Sequence, residues 1–270
     1  MKKILSRDGT AIAVERTGRG PALVFVDGAM CYRASGPSRS MAAALAEHFT
    51  VFTYDRRGRG DSSDTTPYEV GREVEDLEAV IREAGGHAVV FGVSSGAALA
   101  LEAASHGVPI TRLALYEAPF IVDDSRSALP DDFVPQMKTA LAEGRRADAV
   151  KMFMKLVGVP AVFILLMRLM PAWPKLTAIA HTLPYDLTIV GPHQRGLPLS
   201  TTRWSGATMP TLVMDGGKSP AWMRNATRAL ARVLPNATYR TLDRQTHMVK
   251  PKALTPSLVE FFRNAASTPV

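Results

Sequence analysis

Ser94 lies in Gly92-Val93-Ser94-Ser95-Gly96, between a short apolar run, Ala88 to Phe91, and a run of small residues from Ala97 to Ala104. An apolar strand, a glycine-flanked turn and a helix form the setting that lifts a serine hydroxyl clear of a sheet. The serine's backbone is strained in such a turn. Glycines two residues to either side leave room where a Cβ would collide with the neighbouring strand or helix. A hydroxyl is a poor nucleophile until a base takes its proton, and the base needs a third group to orient it. The chemistry implied is acyl transfer through Ser94.

The chain contains six histidines, and only His247, in Asp243-Arg244-Gln245-Thr246-His247-Met248, follows the last strand expected from the sequence. A turn of this kind uses the chain order serine, acid, histidine, so His247 is the expected base. Two carboxylates compete for the acid. Asp215 ends the strand before the last pair of elements, in Met214-Asp215-Gly216-Gly217-Lys218-Ser219-Pro220, but Ser219 stands where an aspartate is commonly placed. Glu117 closes the apolar strand after the Ser94 helix, in Leu113-Ala114-Leu115-Tyr116-Glu117-Ala118-Pro119. A charge there is costly to bury without a partner, and a histidine imidazolium is a suitable one. Glu117 is therefore the first choice and Asp215 the alternative.

A developing oxyanion needs two backbone N–H groups aimed at it. Ser95 supplies one. The turn Asp27-Gly28-Ala29-Met30 supplies the other, with Gly28 permitting close approach, Ala29 the expected donor and Met30 the next. Cys31, Tyr32 and Arg33 follow in the same turn; a lone cysteine there reads as inert packing.

The elements that must position these groups follow from the hydrophobic pattern. Lys3 to Ser6 and Ala11 to Thr17 read as strands joined at Asp8-Gly9, and Ala22 to Val26 as a strand buried on both faces. Pro37 to His48 is an expected helix, Val51 to Tyr54 a strand, and Glu69 to Ala84 a helix ending at Gly85-Gly86. After Arg112 to Tyr116 the alternation stops from about Phe120 to Thr208, a stretch helical in tone and rich in Pro and Met. It resumes with strands at Thr211 to Met214 and Thr238 to Leu242, and helices at Ala221 to Leu234 and Leu254 to Asn264. The expected architecture is α/β: a mostly parallel eight-stranded sheet flanked by helices, made by residues 1–119 and 209–270, with an inserted helical cap over 120–208. Phe163, Met167 and Trp173 of the cap, with Met30 and Tyr32, are the expected substrate contacts. The apolar run Leu156 to Met167 reads as a buried cap helix, as a lid over the pocket, or as a membrane contact; Gly158, Pro160 and Arg168 argue against a stable bilayer span.

Composition bounds the rest. The chain has 270 residues, 46% hydrophobic and 21% charged, enough for one large domain with an insertion. The net charge of +7 is dispersed, and the one dense patch, Arg56-Arg57-Gly58-Arg59, is better explained below than by a nucleic-acid partner. A single cysteine excludes an internal disulfide, and no Cys/His cluster has metal-ligand spacing. The start, Met1 to Asp8, has no apolar core of signal-peptide length, so a cytoplasmic protein, monomer or homodimer, without cofactor or metal, is expected.

These pieces resemble the α/β-hydrolase superfamily: Gly-Val-Ser-Ser-Gly at the turn, Asp27-Gly28 at the oxyanion turn, Asp55-Arg56-Arg57-Gly58-Arg59-Gly60-Asp61-Ser62 after the preceding strand, and His247 in the last loop. The resemblance implies that the arginine-rich segment is a structural loop. More narrowly, Asp27-Gly28, Gly-x-Ser-Ser-Gly-Ala and Glu117-Ala118-Pro119 resemble the zearalenone lactonases, which implies a Ser-His-Glu triad. Haloalkane dehalogenases also carry a glutamate at that strand end, but with an aspartate nucleophile, which Ser94 excludes. The expected activity is hydrolysis of a fairly apolar small-molecule ester or lactone. Carbon–carbon bond hydrolysis on the same triad, or a non-catalytic ligand binder on this scaffold, are the alternatives.

Overall fold

The apolar runs pair into one eight-stranded sheet of order β1-β2-β4-β3-β5-β6-β7-β8. The structure is a computed structural model and describes residues 1–263. The strands are β1 (Lys2–Leu5), β2 (Ala11–Gly18), β3 (Ala22–Val26), β4 (Thr50–Tyr54), β5 (Ala88–Val93), β6 (Ile110–Tyr116), β7 (Thr211–Gly216) and β8 (Ala237–Leu242). β2 pairs antiparallel with β1 and β4, and the other pairs are parallel.

A parallel sheet must be covered on both faces, and strand alternation here divides the apolar side chains between two layers. Leu23 and Phe25 of β3, Phe91 of β5 and Met214 of β7 pack with helices α1 (Ser38–Leu45) and α10 (Pro251–Arg263) through Met41, Leu45, Leu254 and Leu258. Val24, Val26, Val90 and Val213, one residue out of phase, pack with α2 (Val70–Glu83), α3 (Ser95–Ser105) and α9 (Ala221–Val233) through Leu77, Val80, Ala97, Leu101 and Leu230. The last helix begins three residues before the expected Leu254, and the expected end at Asn264 lies outside the described residues.

Between β6 and β7 the chain forms α4 (Phe133–Ala142), α5 (Arg146–Leu156), α6 (Ala161–Met167), α7 (Trp173–Ala178) and α8 (Leu183–Val190). Its inner side chains, among them Val150, Leu183, Leu187 and Val190, join the same apolar cluster as α3, so the cap shares the core. The run Leu156 to Met167 is not one buried helix. Gly158, at φ 86°, and Pro160 break it between α5 and α6, and α6 buries only Ile164 while Phe163 is 56% exposed. Among the described residues no helix is long and apolar enough to cross a membrane.

Candidate active site

β5 ends where α3 begins, and Ser94 is the hinge. Its φ of 54° and ψ of −128° lie where side chains are disfavoured. The turn is held by Ser94 N–H donating to the Tyr116 carbonyl at 2.9 Å. A Cβ on Gly92 would stand 2.6 Å from the Gly96 carbonyl oxygen, and one on Gly96 2.5 Å from the Asp27 carbonyl oxygen. Those two steric conflicts explain the spacing of the motif.

The chain after β3 approaches Ser94 closely: a Cβ on Gly28 would lie 3.1 Å from Ser94 Cβ. The Gly28 N–H is occupied by Asp27 Oδ1 at 2.9 Å, while Ala29 and Ser95 both line the cavity with Ser94. Asp27 is buried, and its Oδ2 accepts from Ser38 Oγ at 2.6 Å. Burial pushes its carboxyl up to about 6, against the opposing effect of the Ser38 and Gly28 hydrogen bonds. Burial also pushes the Cys31 thiol up, which keeps it protonated and unreactive.

His247 Nδ1 donates to Glu117 Oε2 at 2.8 Å, and Glu117 Oε1 accepts from the Gly216 N–H at 2.7 Å. A carboxylate can only accept, so the proton sits on Nδ1 and Nε2 is left as the basic nitrogen. Glu117 is fully buried, whereas the imidazole is about one-third exposed. The loop carrying His247 is fixed by Tyr116 Oη donating to the Thr246 carbonyl at 2.7 Å. The alternative acid, Asp215, is turned elsewhere: its Oδ2 accepts from Tyr239 Oη at 2.6 Å. Ser219 is buried, its hydroxyl without a partner among the described residues.

The arginine-rich loop is interior rather than a basic surface. Arg56 pairs with Glu73 at 2.6 Å and with Asp186 at 2.7 Å, Arg59 with Asp186 at 2.6 Å, and Arg57 with Asp76 at 2.7 Å. Asp186, on α8, also accepts from Ser95 Oγ at 2.7 Å, and Arg59 Nη1 donates to the Gly28 carbonyl at 2.8 Å. Burial alone would raise the Asp186 carboxyl, but Arg59 and Arg56 outweigh it and hold the group below the usual range. One ion network thus ties both sides of the expected oxyanion site to the cap.

Ser94, His247, Ala29, Phe153 and Val157 line two adjoining lobes. The larger, about 460 Å³, extends past Leu156, Arg126, Gln194 and Trp222. The smaller, about 210 Å³, extends past Cys31, Met41 and Met248. The five expected substrate contacts lie away from these walls. Met30, at φ 61°, packs into the core, Tyr32 and Trp173 are half-buried against it, Met167 is half-buried and Phe163 faces outward. For the three cap residues the break at Gly158 to Pro160 is the reason: the roof is the C-terminal end of α5, and α6 lies beyond it.

A model of the alpha/beta hydrolase family matches residues 18–253. The chain belongs to that family. A solved alpha/beta hydrolase from Sphaerobacter thermophilus is 53% identical over 97% of this chain and all of that one, with a TM-score of 0.88. Two further structures share the fold: an enol-lactonase from Burkholderia xenovorans, 22% identical over 97% of this chain and all of that one, TM-score 0.70; and a malate-bound esterase from Thermogutta terrifontis, 21% identical over 97% of this chain and 98% of that one, TM-score 0.68.

Several residues around this alpha/beta hydrolase site went unnoticed in the sequence. Asp186 carried a usable signal: a lone carboxylate in Leu183-Pro184-Tyr185-Asp186-Leu187 needs a partner for the same reason as Glu117. Arg126, Trp222 and Phe153 carried none, because only the tertiary path of the cap brings them together. His193, its ring tilted against Trp204 at 4.9 Å between centroids and its pKa lowered to about 4 by burial and by Arg203, is a neutral packing residue of the cap. Among the described residues no group of three His, Cys, Asp or Glu side chains could hold a metal ion.

Proposed function

We propose that this alpha/beta hydrolase cleaves a carboxylic ester or lactone through an acyl-enzyme on Ser94, with His247 as base and Glu117 as its orienting acid. The observation that carries the reading is the 2.8 Å bond from His247 Nδ1 to the buried Glu117, on the wall of the cavity that also holds Ser94. His247 Nε2 takes the Ser94 proton as Oγ attacks the carbonyl carbon, and Glu117 stabilises the imidazolium. The oxyanion falls to the N–H groups of Ala29 and Ser95. His247 then protonates the leaving oxygen, and a water deprotonated by His247 releases the acid from Ser94. Two lobes meeting at Ser94 suit a substrate with a group on each side of the scissile bond. The short likeness to zearalenone lactonases supports the same triad.

The test is turnover of p-nitrophenyl butyrate together with covalent labelling by a fluorophosphonate. The wild type should do both. Ser94→Ala should lose labelling and lower kcat by roughly 10⁴-fold or more. Labelling at Ser94 with no turnover of any ester or lactone would move the reading to carbon–carbon bond hydrolysis. Ester turnover that survives Ser94→Ala would reject it.

A further inference from the structure

The larger lobe has one cationic wall that no carboxylate among the described residues pairs with. Arg126, between β6 and α4, lies 4.1 Å over the Trp222 ring and donates one N–H to the Leu156 carbonyl at the end of α5. Of the guanidinium's five N–H donors the protein engages only that one among the described residues. The ring contact spends no donor on an acceptor atom, and among the described residues no carboxylate pairs with this arginine. Its pKa is held below the ordinary arginine value by burial. Lys155 lines the same lobe, also without an ion pair among the described residues, whereas Lys151 one turn earlier is paired with Asp148 at 2.7 Å.

Among the described residues nothing else in the lobe balances these charges. Asp186 reaches the wall, but its two oxygens are taken by Arg56, Arg59 and Ser95. Glu117 is buried behind His247 and bonded to it. The rest of the lobe is mostly apolar, including Leu156, Leu187, Val190 and Met223. A half-buried guanidinium with donors open to a mostly apolar cavity can take an anion there, and its planar fork matches a carboxylate.

We propose that Arg126, assisted by Lys155, is an anion subsite, and that the substrate is an ester or lactone bearing a carboxylate on the arm that enters the larger lobe. The assignment of the reacting bond rests on the proposed function above; the subsite itself rests on Arg126, Lys155 and Trp222. A purely structural clip from Arg126 to Leu156 would affect all substrates alike. An anion subsite affects only charged ones.

The experiment compares p-nitrophenyl glutarate monoester with p-nitrophenyl valerate, which have similar length and differ by the terminal charge. The wild type should favour the glutarate ester in kcat/KM. Arg126→Met should lower that value about 10- to 100-fold and lower the valerate value by a clearly smaller factor. Arg126→Lys should keep part of the preference, and Lys155→Met should lower it by a smaller factor. A wild type with no preference for the glutarate ester, or equal losses on both esters in Arg126→Met, overturns the subsite. Calorimetric binding of adipate to Ser94→Ala separates the two claims. Adipate binding that Arg126→Met removes, in a protein with no ester turnover, keeps the subsite and rejects the hydrolase reading. Ser94-dependent valerate turnover without adipate binding or glutarate preference does the reverse.

Discussion

Glu117 and Asp215 stand side by side at the ends of β6 and β7, both fully buried, and only one of them reaches the histidine. Asp215 is still inside the ladder, opposite Thr241, so strand alternation fixes its direction and sends its carboxylate to Tyr239. Glu117 lies one residue past the end of β6, at a φ of 48°. That left-handed turn frees the side chain from the alternation and aims it at His247. The left-handed backbone costs about 1 kcal/mol, and the hydrogen bonds from His247 and Gly216 offset it. Equal burial therefore does not mean an equal role; the backbone at the strand's end decides.

The sharpest way to break this contrast is to neutralise each carboxylate. Glu117→Gln should lower kcat on p-nitrophenyl butyrate by about 10³- to 10⁴-fold, because the amide no longer fixes the Nδ1–H tautomer or stabilises the imidazolium. Asp215→Asn should cost less than about tenfold; steady-state kinetics on both variants checks the ranking.

Next in size are the two tyrosines that serve the two sides. Tyr116→Phe removes the hydrogen bond to the Thr246 carbonyl, loosens the loop of His247, and should lower kcat about tenfold. Tyr239→Phe leaves buried Asp215 without its hydrogen-bond donor, with only Arg224 4.0 Å from Oδ2 and Oδ1 already unpartnered, and should cost about 2 kcal/mol of stability with kcat nearly unchanged. Urea unfolding and kinetics on the same preparations separate the two. A kcat loss in Tyr239→Phe matching that of Tyr116→Phe would erase the distinction.

The last contrast, read in stability and not in kcat, concerns Asp27, a third buried carboxylate near Ser94 that bonds neither His247 nor a tyrosine. Its folded-state value of about 6 stands above the ordinary 3.8. Between these values the folded protein retains a proton that the unfolded chain has lost, so stability falls as pH rises through that window and levels above it. The span corresponds to ~3 kcal/mol. Asp27→Asn lacks this titration, so its stability relative to wild type should improve as pH goes from about 4 to about 7. Urea midpoints that move in parallel across that range would contradict the burial argument.

The sheet was legible because its central strands carry near-continuous apolar runs, and the Ser94 turn because its glycines have steric causes at fixed spacing. Pairing Glu117 with His247 was legible from a charge closing an apolar strand, from Ser219 at the usual acid position and from the short likeness to the zearalenone lactonases. The cap was legible as helical but not in detail. Leu156 to Met167 reads as one apolar segment, and the sequence pattern does not say that α6 faces outward while the end of α5 roofs the cavity. Phe163, Met167 and Trp173 are large and apolar and lie in the cap, which does not place them on the cavity; Arg126 and Trp222, far apart in sequence, meet only through the path of the chain. The arginines at 56, 57 and 59 read as a loop, but their partners Glu73, Asp76 and Asp186 come from other elements and could not be paired from spacing.

The most direct test of the central claim uses no assumed substrate: the second-order rate of fluorophosphonate labelling of Ser94 in wild type, Glu117→Gln and Asp215→Asn. If Glu117 activates Ser94 through His247, labelling slows by orders of magnitude in Glu117→Gln and stays near the wild-type rate in Asp215→Asn. Equal rates in wild type and Glu117→Gln, or slow labelling confined to Asp215→Asn, would contradict the account.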